Sequence, residues 1–267
     1  MTRSVVPALA RTTRPLSSLV AGTLAASVLT VAQGRLSFVG LAAGAAMTIL
    51  AMFGFVVNDV VDHEKDAKAG LRRPIATGEL SRRAAVLFAA VLLPLVFVVS
   101  PVRGAADGVL AAASLGLLVY SPLALRFPAG KGVYVATLCC APLLYGSTIA
   151  GVQRSWPVYA ALAAFIAGRE IWMDADEMEG DRRAGVETIA ALLGQERTRR
   201  TGVALMLLSA AFLVAIERDS IGRIAALAML CSFTAVLFWP GLSDGRRIQL
   251  SRFPMLIGAV ALACGES

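Results

Sequence analysis

Nine stretches of this chain are apolar and almost free of charge: 15–32, 36–57, 84–100, 105–122, 133–152, 156–173, 202–216, 221–240 and 253–264. Runs near 18 residues are about the length a helix needs to cross a hydrocarbon core of roughly 30 Å. Backbone groups in lipid have no water to bond, so such runs must be helices or closed barrels. The alternating polar and apolar pattern of a membrane barrel is missing here. Composition agrees, since only 16% of the 267 residues are charged and 57% are hydrophobic. A soluble domain carries about 25% charge. The expected fold is therefore all-α, a single polytopic membrane bundle of about nine helices spanning residues 1–267. The last run, about 12 residues, is too short to cross unaided, so a short or truncated final helix is expected. The first run exceeds the h-region of a signal peptide and lacks a small-x-small cleavage site, so it is expected to be retained.

The basic residues fix an expected orientation. Of the 25 Lys and Arg, 19 fall on the side of the N-terminus and five on the other, with Arg169 near the end of the sixth run. Positive residues stay cytoplasmic, which puts the N-terminus inside. The net charge of +7 thus reflects membrane topology. No basic helix interleaved with aromatics points to nucleic acid. The four cysteines, Cys139, Cys140, Cys231 and Cys264, have no C-x-x-C spacing and read as small apolar packing residues. His63 has no second imidazole to join it and reads as a loop residue.

Acidic residues are concentrated in two places. Five of 18 lie between Asn58 and Glu79, and eight between Glu170 and Glu196. Both segments follow helix ends on the cytoplasmic side. Asp59, Asp62 and Asp66 stand at i, i+3, i+7, and so do Asp174, Glu177 and Asp181; Asn58 adds an i, i+4, i+8 series with Asp62 and Asp66. Helical geometry stacks such residues on one face. Like charges so placed repel, and the arrangement calls for a compensating cation. Hard oxygen ligands suit Mg²⁺, which bridges carboxylates to phosphate oxygens. Arg72 and Arg73 follow the first cluster, Arg182 and Arg183 the second, where they could neutralise a polyanion. A solvated acidic face explains one such cluster, but two with the same spacing 115 residues apart are harder to explain that way.

Asn58-Asp59-x-x-Asp62-x-x-x-Asp66 resembles the first motif, N-D-x-x-D-x-x-x-D, of the UbiA superfamily of intramembrane prenyltransferases. Arg72-Arg73-Pro74-Ile75 through Gly78 and Ser81 resembles the R-P-I-x-x-G-x-x-S segment that follows it. Arg169-Glu170-Ile171, leading through Asp174 to Gly180-Asp181, is similar to the second motif, R-E-x-x-K-D-x-x-D-x-x-G-D. Tyr120-Ser121-Pro122-Leu123 before Arg126 resembles a turn after the fourth helix, and Arg14-Pro15 an N-terminal R-P. The likeness covers nearly the whole chain. There are departures: Met173 stands where lysine is frequent, Glu177 where aspartate is usual, Ser17 in place of an asparagine, and Gly132-Val133 where G-N is expected.

The resemblance implies a nine-helix bundle around a central cavity, capped on the cytoplasmic side by the two acidic segments. It implies Mg²⁺ held by Asn58, Asp62, Asp66, Asp174, Glu177 and Asp181, with Asp59 supporting the first motif. Arg72, Tyr120, Arg126 and Lys131 are the expected diphosphate contacts. The implied partners are an allylic prenyl diphosphate donor, an aromatic or lipid-linked acceptor, and membrane lipid. The implied reaction ionises the donor and transfers its prenyl group. A terpene cyclase, in which the ionised donor closes on itself, is the alternative; aromatic residues at 7% do not favour the lining it needs. A cation or phosphate carrier is a third reading, but carriers place ionisable groups near the midplane.

Overall fold

The computed structural model describes residues 5–264, the side chain of Leu125 excepted; Arg3 and Gly265-Glu266-Ser267 lie outside the described residues. The regular structure of the described residues is all helical. Its α-helices are α1 (Val5–Thr12), α2 (Pro15–Gln33), α3 (Phe38–Val61), α4 (His63–Ala69), α5 (Arg82–Val99), α6 (Ala105–Arg126), α7 (Lys131–Leu138), α8 (Ala141–Ala150), α9 (Trp156–Arg183), α10 (Ile189–Leu193), α11 (Gln195–Ile216), α12 (Ser220–Phe238), α13 (Asp244–Leu250) and α14 (Arg252–Cys264).

Local chemistry accounts for the boundaries. Ser37, Ser81 and Asp219 accept from the backbone N–H groups of Gly40, Ala84 and Gly222, which satisfies otherwise orphaned donors at the helix starts. Gly34, Gly70 and Gly151 end α2, α4 and α8 with positive φ, where a Cβ would be strained. Pro142 has no N–H to offer the carbonyl of Leu138, and the fifth span breaks there into α7 and α8 at Cys139 and Cys140.

Among the described residues, eight segments are long and apolar enough to cross a membrane: Pro15–Gln33, Phe38–Val61, Arg82–Val99, Ala105–Ala124, Pro128–Ala150, Gln195–Ile216, Ser220–Phe238 and Asp244–Cys264. The ninth expected span is α9. Its 28 residues give roughly 42 Å at 1.5 Å per residue, but its second half is charged. The short final helix expected is α14, 13 residues long, and α13 joins it to complete the last span. Asp244–Cys264 reaches 21 residues, because α13 begins at the Ser243 cap and runs to within a residue of α14. Arg246, Arg247 and Arg252 had marked that stretch as loop.

The helices pack as two apolar clusters. One is built mainly from α1, α3, α5 and α6 (Met47, Phe53, Leu92, Leu110) and the other from α9, α11, α12 and α14 (Phe165, Met206, Phe233, Leu262), with α2 and α8 contributing to both. Glycine pairs set the closest approaches. A Cβ on Gly22 would lie 2.5 Å from the carbonyl of Gly44, and one on Gly168 would lie 2.7 Å from that of Gly202. Backbones meet directly at such points, and small residues make this possible in membrane bundles. Large apolar side chains such as Leu87, Val98, Ile224 and Phe238 face outward, as lipid-facing surfaces require.

Candidate functional site

The first acidic motif crosses from α3 to α4 without losing its helical register. Asp62 sits at the junction, yet its N–H donates to the carbonyl of Asn58 at 2.8 Å and Asp66 N–H to that of Asp62 at 2.8 Å. The stripe expected from the spacing is thereby preserved. Asp59 and Asp66 are buried, at 2% exposure each. Arg73 Nη1 donates to both, 3.2 Å to Asp59 Oδ1 and 2.9 Å to Asp66 Oδ2. Arg14 reaches Asp59 Oδ1 from the start of α2 at 2.6 Å, while its guanidinium lies 4.7 Å from the centre of the Phe55 ring. Arg14 holds a left-handed φ of 46°, a costly conformation for a residue with a Cβ. Ser121 Oγ donates to Asn58 Oδ1 at 3.2 Å, so the Tyr120-Ser121 segment of α6 touches the first motif.

The second motif lies within α9, one uninterrupted helix to Arg183. Asp174 and Asp181 are buried, at 3% exposure each. Each is matched by a lysine from another element: Lys131 Nζ of α7 is 2.5 Å from Asp174 Oδ1, and Lys65 Nζ of α4 is 3.1 Å from Asp181 Oδ1. The close passage of Gly180 against Ala69, with a Cβ 3.4 Å away, brings α4 and α9 together. Nearby, Arg169 is 3.5 Å from Glu170 Oε1.

Both motifs face one cavity of about 320 Å³. At one end its wall carries Asn58, Asp62, Asp66, Glu177, Tyr120 and Lys131; farther along it is lined by Leu24, Met47, Leu50, Leu162 and Ile166. Asp59, Asp174 and Asp181 stand behind this wall, holding cations. Arg72 and Arg126 are exposed and lie outside the lining, whereas Arg73 is part of it. Lys65 and Arg252 are lining cations that sequence reasoning did not single out, and Arg73 and Arg169, named there within the motifs, were not among the expected diphosphate contacts. Lys65 stands at i+3 from Asp62, on the acidic helix itself, which was a usable signal.

Two acidic groups in the lining are not matched. Asp62 and Glu177 form no ion pair among the described residues, and Asp62 Oδ1 is buried without a hydrogen-bond partner. Burial raises the Asp62 carboxyl above the usual carboxylate range, against the opposing charges of Lys65 and Arg73. Burial likewise pushes Asp66 up to about 6, opposed by Arg73 and reinforced by Asp62. An orphaned buried carboxylate oxygen is a cost that a bound cation would remove. No group of three His, Cys, Asp or Glu side chains converges as a ready metal cage among the described residues. Mg²⁺ does not require one, since it binds through one or two carboxylates, waters and substrate phosphates. The donor set fits that ion.

A model of the UbiA prenyltransferase family matches residues 18–262. Digeranylgeranylglyceryl phosphate synthase of Methanoregula boonei is 31% identical over 190 residues, covering 70% of this chain and 68% of that protein. The enzyme of the same name from Thermococcus kodakarensis is 29% identical, with 80% of each chain covered. A UbiA homolog from Archaeoglobus fulgidus, solved bound to GPP and Mg²⁺, superposes with a TM-score of 0.69 at 19% identity, covering 95% of this chain and 99% of that one.

Proposed function

The chain belongs to the UbiA prenyltransferase family, and we propose on that footing that it uses Mg²⁺ to ionise an allylic prenyl diphosphate and passes the prenyl group to an aromatic or lipid-linked acceptor. As a family member it is a prenyltransferase and an integral, multi-pass membrane protein. The observation that carries the finer reading is the cavity, polar and doubly acidic at one end and apolar beyond it. A diphosphate with a hydrocarbon tail has that same division.

Asn58, Asp62, Asp66 and Glu177 would hold the metal, with Asp174 and Asp181 available once their lysines turn to the diphosphate. Bound there, Mg²⁺ supplies neutralisation of the leaving diphosphate. Arg73, Lys65 and Lys131, fixed in advance by their carboxylate partners, are the donors that stand ready at the same end, beside the Tyr120 hydroxyl. Preorganised donors of this kind stabilise charge that develops in the transition state. Arg14 and Arg73 hold Asp59 in place beneath the first motif. The apolar wall keeps water from the allylic cation until the acceptor attacks.

The relatives named digeranylgeranylglyceryl phosphate synthase make a lipid-linked acceptor the first to try. The split of positive charge supports a cytoplasmic N-terminus, with the acidic ends of α3 and α9 on that side. The test is to incubate the purified protein and Mg²⁺ with prenyl diphosphates of graded length, with and without acceptors, and identify products by mass. An acceptor-dependent adduct is expected. A cyclised hydrocarbon formed without acceptor would replace this reading with the cyclase, and no consumption of any donor would overturn both.

A further inference from the structure

A second, smaller cavity of about 30 Å³ adjoins the first, and Val20, Leu24, Leu162 and Met255 line both. These four side chains, from α2, α9 and α14, are the partition between the two spaces. Beyond them the second cavity is walled by Phe165, Ala210, Leu213, Met229, Gly258 and Ala259. Its one polar lining side chain is already engaged, since Ser209 Oγ donates to the Ala161 carbonyl at 2.5 Å. An apolar void offers water no partners and stays dry, and packed interiors leave few such voids. Only apolar matter suits it. Small residues keep the space open: a Cβ on Gly258 would run into the Met229 sulfur, and Ala210 and Ala259 stop at a methyl group. A methionine stands on either side of the void, Met255 in the partition and Met229 beyond it. Such unbranched side chains have three rotatable bonds and reshape around what they meet.

The distance from the acidic end can be read along one element. Leu162 and Glu177 both belong to α9, a single uninterrupted helix, and at 1.5 Å per residue they stand roughly 22 Å apart along its axis. An extended isoprene unit adds four carbon–carbon bonds of about 1.5 Å, roughly 5 Å of length. A tail laid along α9 from a diphosphate beside Glu177 therefore reaches the partition at about its third or fourth unit. We propose that the second cavity is a terminal subsite for the donor's prenyl tail, and that Leu162 and Met255, at its entrance, set the longest tail admitted. This rests on the prenyl-transfer reading above and narrows the donor to allylic diphosphates of about three or four isoprene units, a fifth being stopped at the partition. Opening the partition admits the longer tail, and filling the space behind it takes that gain away. A hydrocarbon chain on the acceptor has the same chemistry, and the experiment separates the two sources.

The experiment measures binding in detergent with Mg²⁺, apart from catalysis, using unreactive prenyl thiolodiphosphates of graded length, from the two-carbon-branched C10 chain to C25. Wild-type protein should hold the C15 or C20 analogue tightest and the C25 analogue about tenfold or more weaker, the scale on which apolar pockets discriminate by size. Met255→Ala, and independently Leu162→Ala, should bring the C25 analogue level with the C20. Adding Ala210→Leu to either, which fills the space behind the partition, should cancel that gain and leave affinity for the C10 analogue unchanged. Elution as a single species in detergent establishes folding, and the two opening variants serve as substitutes for one another if one does not fold. An unchanged length preference in the opened protein, or a gain that Ala210→Leu leaves intact, would overturn the subsite. The same variants are then titrated with monoalkylglycerol phosphates of graded chain length. A shift in their length preference in place of the donor's would give the space to the acceptor chain and overturn the donor assignment. A donor-length shift without any prenylated product from the wild type would leave the subsite standing and remove the prenyl-transfer reading instead.

Discussion

Lys65 and Asp181 are far apart in sequence, one in each acidic motif, yet Lys65 Nζ lies 3.1 Å from Asp181 Oδ1. Both are largely shielded, with 19% and 4% of their side chains exposed, so the pair is little screened by solvent. It fastens α4 to α9 and makes the two motifs one structural unit. Lys65→Met and Asp181→Asn should therefore be non-additive. Each alone should lower kcat/KM for prenyl transfer by tenfold or more, and the double variant should be little worse than the poorer single, a coupling of about 1 kcal/mol or more. Strict additivity in the double-mutant cycle would mean that the motifs act independently.

Metal affinity should fall in acid. Burial pushes Asp66 up to about 6, from an ordinary 3.8, so its proton competes with Mg²⁺ as pH falls through that value. One competing proton weakens apparent binding by up to about tenfold per pH unit below the folded pKa. Titrating Mg²⁺ against diphosphate release between pH 8 and 5 measures this directly. The sign for folding is opposite: the folded state holds this proton more tightly than the unfolded chain does. In the metal-free protein, Asp66 favours folding most at low pH and loses that contribution as pH rises from 3.8 to about 6. A Mg²⁺ affinity that stays flat across this range would remove Asp66 from the ligand set.

The scaffold behind the second motif depends on hydrogen in place of a side chain. A Cβ on Gly202 would meet the carbonyl of Gly168 at 2.6 Å and the N–H nitrogen of Trp172 at 2.8 Å. Those are backbone atoms that cannot rotate away. Gly202→Val should force α11 from α9 and destabilise the bundle by about 1–3 kcal/mol, the usual cost of overpacking. Thermal unfolding in detergent should register it, together with reduced diphosphate release because α9 carries Asp174 and Glu177. Unchanged stability would show that the two helices have slack the structure does not reveal.

Orientation is testable with two exposed positions. Thr77 follows the first motif and Arg103 precedes α6, and both are exposed. In a cysteine-free background, Thr77→Cys should react with an impermeant maleimide only from the cytoplasmic side and Arg103→Cys only from the other, as the distribution of positive charge requires. Labelling of both from one side would break the nine-span topology.

Much of this site was legible from spacing, because helices convert intervals of three, four and seven into one face. The register even survives the junction at Asp62. Loop side chains were not legible in that way. Arg72 and Arg73 are neighbours with the same chemistry, and only the tertiary position of Asp59 and Asp66 decides that Arg73 turns inward. The α13 part of the final span was hidden by Arg246 and Arg247, which read as loop residues. The Gly168–Gly202 approach was hidden too, since a glycine in an apolar run says nothing of what passes beside it.

Asp62 and Asp174 separate catalysis from stability. Asp62 is half-buried at the cavity wall, with a buried, orphaned Oδ1 and no ion pair among the described residues. Removing it deletes a proposed metal ligand and also a partly desolvated charge, so Asp62→Ala should abolish diphosphate release and leave the unfolding midpoint of the metal-free protein unchanged or raised. Asp174 is matched at 2.5 Å by Lys131, whose side chain is 13% exposed. Asp174→Ala should abolish activity as well, but it strands a buried ammonium, at a cost of about 3–5 kcal/mol. Adding Lys131→Met to Asp174→Ala removes both charges and should recover most of that stability, since replacing a buried pair with apolar groups is close to neutral. Activity should not return, because a proposed diphosphate contact has gone as well. Thermal unfolding in detergent without Mg²⁺, run beside a diphosphate-release assay, reads both properties. Equal losses of stability in Asp62→Ala and Asp174→Ala would contradict the division of the acidic residues into a waiting metal site and a set of fixed ion pairs.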